Sequence, residues 1–91
     1  MKKKAENSTV NYDPEMVIEG VEITFTKVTS SGNTTINGAI RKDGAEVGSV
    51  SYDERGGFLI TSLKPYASLT QKEVSAVYSA IPGYILEMID E

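Results

Sequence analysis

The chain has 91 residues, thirteen of them Asp or Glu against nine Lys or Arg, for a net charge of −4, and it contains neither cysteine nor histidine. Without cysteine there are no disulfides, no thiolate nucleophile and no cysteine-bound zinc, and without histidine the commonest general base and metal ligand are gone. The length supports one domain built from one sheet and one covering layer.

In chain order, Met1-Lys2-Lys3-Lys4 carries the charge of a secretory leader, but residues 5 to 13 lack the apolar run of about 7 to 15 residues such a leader needs. Residues 1 to 15 are therefore expected to form a flexible polar tail, and residues 16 to 91 a single α+β domain in the cytoplasm. No segment approaches the ~18 consecutive apolar residues that span a membrane.

Val21, Ile23 and Phe25 alternate with Glu22, Thr24 and Thr26, which is the pattern of a half-buried strand. Met16-Val17-Ile18 precedes it across Gly20, which marks either a bulge or the start of the strand. Four turn formers, Ser30 to Asn33, lead to a second strand with Ile36, Gly38 and Ile40 at period two.

Asp43-Gly44 predicts a two-residue type I′ turn, because both central positions of that turn need positive φ. Counting outward pairs Lys42 with Ala45, Arg41 with Glu46 and Ile40 with Val47. Val50 and Tyr52 are then one residue out of phase, so a bulge is expected at Gly48-Ser49, after which Gly38 faces Val50 and Ile36 faces Tyr52. Residues 53 to 57 form the next turn, and Phe58 to Leu63 the most apolar strand. The strand is apolar on both faces, so it needs cover on both: the helix on one, and on the other the N-terminal segment or a second subunit. A homodimer is one of those two outcomes. The residues expected at an interface are Leu59, Thr61, Leu63, Tyr66 and Tyr84.

From Thr70 the spacing becomes helical. Thr70 and Glu73 match a capping box, and Val74, Val77, Tyr78, Ile81, Tyr84, Ile85, Met88 and Ile89 make an apolar stripe. Pro82-Gly83 interrupts it without changing its phase, and predicts one kinked helix or two consecutive ones. The whole reads as a four-stranded antiparallel β-meander with a C-terminal helix on one face.

No motif carries catalysis, a metal or a cofactor. The glycines do not join a strand to a helix in a phosphate-binding pattern, and Asp53-Glu54 offers too few ligands for calcium. Ser62 and Lys64 point the same way on one strand, but nothing else around them makes a catalytic dyad. The chain is therefore expected to be a non-enzymatic interaction module with a protein partner. Four strands followed by one helix resembles, in element order, the single-stranded-DNA-binding fold of the transcriptional positive-cofactor family. That resemblance implies an alternative in which the polar sheet face binds single-stranded nucleic acid through Lys27, Arg41, Lys42 and Arg55. The acidic balance of the chain argues against it.

Overall fold

The computed structural model describes residues 7–64 and 68–90. Six strands precede one helix: β1 (Asn7–Asn11), β2 (Glu15–Ile18), β3 (Val21–Ser30), β4 (Asn33–Lys42), β5 (Ala45–Asp53), β6 (Phe58–Leu63) and α1 (Gln71–Ile89). All pairings are antiparallel, in the order β1-β3-β4-β5-β6 with β2 also on β3. The expected meander is therefore β3 to β6, and two further strands extend it.

Those two strands come from the segment read as a polar tail and its junction. Asn7–Asn11 pairs with Thr26–Ser30, and Glu15–Ile18 pairs with Val21–Ile23. They share one edge of β3, β1 taking five of its ten residues and β2 three, and leave the backbone of that edge paired along most of its length. β1 is exposed throughout, so its place comes from ladder hydrogen bonds, which no hydrophobic period announces. Gly20, with φ of +84°, lies in the turn that joins β2 to β3, so it is neither a bulge nor the start of a strand.

The Asp43-Gly44 turn has positive φ at both residues, and Lys42 pairs with Ala45 across it. Arg41 with Glu46, Gly38 with Val50 and Ile36 with Tyr52 also pair as the spacing predicts. The bulge falls earlier than expected, because Ile40 faces Gly48 and Val47 is the extra residue. A Cβ on Gly48 would stand 2.4 Å from the Ser62 carbonyl oxygen. Only glycine fits against β6 there, so Gly48 takes the ladder position and the buried Val47 is displaced into the core.

The core lies between one sheet face and α1. Val21, Ile23, Phe25, Ile36, Ile40, Val47 and Val50 meet Val77, Ile81, Ile85 and Met88, all buried. Each such side chain contributes roughly 1.5–3 kcal/mol on burial. The buried stripe of α1 is narrower than its sequence pattern, since Tyr78 is 49% exposed. Thr70 caps the helix: Glu73 N–H donates to Thr70 Oγ1 at 3.1 Å and Thr70 N–H to Glu73 Oε1 at 2.8 Å.

The helix runs through Pro82 as one element, so the alternative of two consecutive helices is not what forms. Pro82 and Gly83 are exposed, as is Tyr78, whose carbonyl loses its donor four residues on. Water can satisfy that carbonyl, which lowers the cost of an interior proline.

Candidate functional site

Among the described residues the sheet is covered on one face only. Lys42 Nζ donates to Ser68 O at 2.8 Å and to Glu73 Oε1 at 2.9 Å, while Lys27 Nζ donates to Met88 O at 2.8 Å. These contacts fix the two ends of α1 over β3 and β4. They leave the helix-side surface of β6, two strands further on, with much less cover.

Leu59, Thr61 and Leu63 all lie on the helix-bearing face, opposite Tyr52, Val50 and Gly48. Leu63 packs against the core, whereas Leu59 is 38% exposed. Phe58 and Ile60, on the other face, are 42% and 52% exposed. The N-terminal strands lie along β3, at the far side of the sheet from β6, and give β6 no cover. Tyr66 lies outside the described residues. Phe58 and Ile60 were absent from the sequence-based interface, although the same two-sided apolar pattern contains them.

Among the described residues β6 pairs with β5 alone. Lys64 N–H donates to Val47 O at 2.8 Å, which sets the phase of the ladder. Backbone groups alternate in antiparallel strands, so those of Phe58, Ile60 and Ser62 face β5, and those of Leu59, Thr61 and Leu63 face the open edge. No charged residue or proline lies within β6. Edge strands usually carry such guards against added strands.

The four basic residues of the nucleic-acid alternative are dispersed. Lys27 and Lys42 are on the helix side, tied to α1 as described. Arg41 is exposed on the opposite face, beside a shallow groove formed with Thr24, Thr26, Asn37 and Ala39. Arg55 lies in the turn after β5, where its Nη2 donates to Ser31 O at 3.0 Å.

That turn is held by a polar network. Asn33 Nδ2 donates to Asp53 Oδ1 at 3.0 Å, Arg55 N–H to Asn33 Oδ1 at 2.9 Å, and Gly56 N–H to Asp53 Oδ1 at 3.2 Å. The Asn33 amide, then the Gly56 N–H, hold the Asp53 carboxyl below its ordinary value. Glu73 is lowered too, by the Thr70 N–H first and then by Lys42.

A second concave feature lies where α1 ends. Tyr12, Glu15, Phe25, Tyr84, Glu87 and Met88 line a cavity of about 110 Å³. The Phe25 and Tyr84 rings are 5.8 Å apart and inclined at 59°. Gly38 makes room for this corner, since a Cβ there would stand 2.9 Å from the Phe25 ring. Burial raises the Tyr84 hydroxyl pKa, and the charges of Glu15 and Glu87 raise it further.

Ser62 and Lys64 line neither the cavity nor the groove. Among the described residues there is no group of three or more acidic side chains able to hold a metal, and no helix long and apolar enough to cross a membrane. No family model, no curated protein and no solved structure matches the chain.

Proposed function

We propose that the protein is a small non-enzymatic interaction module that takes a protein partner as an added strand along β6. The observation that carries this reading is the unguarded edge: a six-residue strand with no charge, outward backbone groups at Leu59, Thr61 and Leu63, and apolar side chains exposed on both faces. Main-chain hydrogen bonds would supply the affinity, and the side chains of both faces the selectivity.

A second copy of the chain is one such partner. Antiparallel self-pairing centred on Thr61 sets Leu59 opposite Leu63 across the two-fold axis and uses all three outward positions. Sedimentation from micromolar to millimolar concentration, and capture from native lysate, test the module with Ile60→Lys as control. The exposed lysine should abolish self-association or capture without unfolding the chain. A monomer at every concentration that captures nothing, or capture indifferent to β6, would overturn the reading.

The alternative, single-stranded nucleic acid on the open face, has Arg41 and its groove in its favour. A single exposed cation within the strands of that face, among the described residues, predicts weak binding that is lost at physiological salt, because affinity scales with the number of phosphates neutralised. Fluorescence anisotropy with a labelled oligonucleotide measures this directly.

A further inference from the structure

The cavity at the end of α1 lies at the β2 side of the sheet, away from β6, and its chemistry is different. Its walls are Tyr12, Phe25, Tyr84 and Met88, and beside them stand the exposed carboxylates Glu15 and Glu87, from β2 and α1. At about 110 Å³ it falls well below the size of sites that enclose a whole drug-sized ligand, and it suits a single small head group.

Three features make that head group a cation. Aromatic rings attract cations through the negative charge of their faces, and the tilted Phe25–Tyr84 pair forms a corner instead of a closed stack. Two carboxylates stand beside those rings. The C-terminal end of a helix carries partial negative charge, and the last turn of α1 contains no basic residue of its own, so that charge draws cations from elsewhere in the fold.

The protein's own Lys27 reaches from β3 to the Met88 carbonyl, so this corner already attracts one ammonium. We propose that the cavity binds an alkylammonium group, with the aromatic walls and Met88 enclosing its carbons and Glu15 and Glu87 holding its charge. A free quaternary amine and a methylated lysine side chain share this chemistry. The rise in the Tyr84 hydroxyl pKa agrees, because both carboxylates act on a group inside the cavity.

The test is an amide NMR titration of the full chain with choline and with 3,3-dimethyl-1-butanol, its neutral carbon isostere. Choline should give saturable shifts at Tyr12, Phe25, Tyr84 and Met88, and the isostere should bind about tenfold more weakly. The Glu15→Gln/Glu87→Gln double variant changes exposed side chains and should fold. It should weaken choline about tenfold while leaving the isostere unchanged.

N-acetyl-trimethyllysine methylamide, titrated in parallel, assigns the source. Tighter binding than choline points to a protein side chain, and weaker binding to a free amine. Equal affinity for choline and its isostere, or no saturable shift with any ammonium probe in the folded protein, would overturn the proposal.

Discussion

Single residues in this protein act mainly by being small or by bending the chain at one point. Gly48 is the clearest case, because β6 passes so close that any side chain would collide with backbone. Gly48→Ala is expected to cost roughly 1–3 kcal/mol through overpacking, read as a lower denaturation midpoint. Gly44, with φ of +86° and open space around it, fails for a different reason. Gly44→Val should destabilise by strain at positive φ alone, and an unchanged midpoint would refute the turn.

At the scale of elements, the start of α1 carries a stability term that depends on pH. Glu73 accepts from the Thr70 N–H and from Lys42, and its carboxyl lies below the ordinary value of 4.5. A carboxyl lowered in the folded state binds fewer protons there than in the unfolded chain. Its contribution is therefore complete above about pH 4.5 and is lost as the pH falls through the lowered value. Asp53 acts in the same direction from an ordinary value of 3.8. The gap between urea midpoints at neutral and acid pH should be smaller for Glu73→Gln than for wild type, since the variant has already lost this contribution. Thr70→Ala removes the other half of the box and should cost ~1 kcal/mol, coupled to Glu73 in a double-mutant cycle.

Within α1, Pro82 belongs to a continuous helix and faces solvent. Pro82→Ala restores an interior N–H and should raise stability by roughly 1–3 kcal/mol. A loss of stability instead would show that packing over the sheet depends on a bend at Pro82.

For the whole molecule, the consequence of one helix over six strands is an open face and an exposed edge. α1 stretches from Lys42 to Lys27 over β3 and β4, and a single 19-residue helix does not also cover β6. Thr61→Pro removes an outward N–H from β6, and Ile60→Lys adds charge beside it. Both should suppress strand addition while preserving far-ultraviolet circular dichroism. Self-association that survives both substitutions would place the contact elsewhere.

The meander and the helix are legible in the amino-acid order because their signals are local. Alternation at Val21, Ile23 and Phe25, positive φ at Asp43-Gly44, and Thr70 with Glu73 three residues on each depend on neighbours within a turn or a strand. The two N-terminal strands were not legible, since exposed β1 is held by hydrogen bonds to a partner distant in the chain. Position 48 shows the same limit: the spacing demands a bulge, but the approach of Ser62 decides which residue it displaces. The aromatic and acidic cavity is assembled from residues 12, 15, 25, 84, 87 and 88, which no local pattern connects. Local preference determined which elements form. Contacts distant in sequence decided which edge of the sheet stays open and where side chains from the two ends of the chain meet.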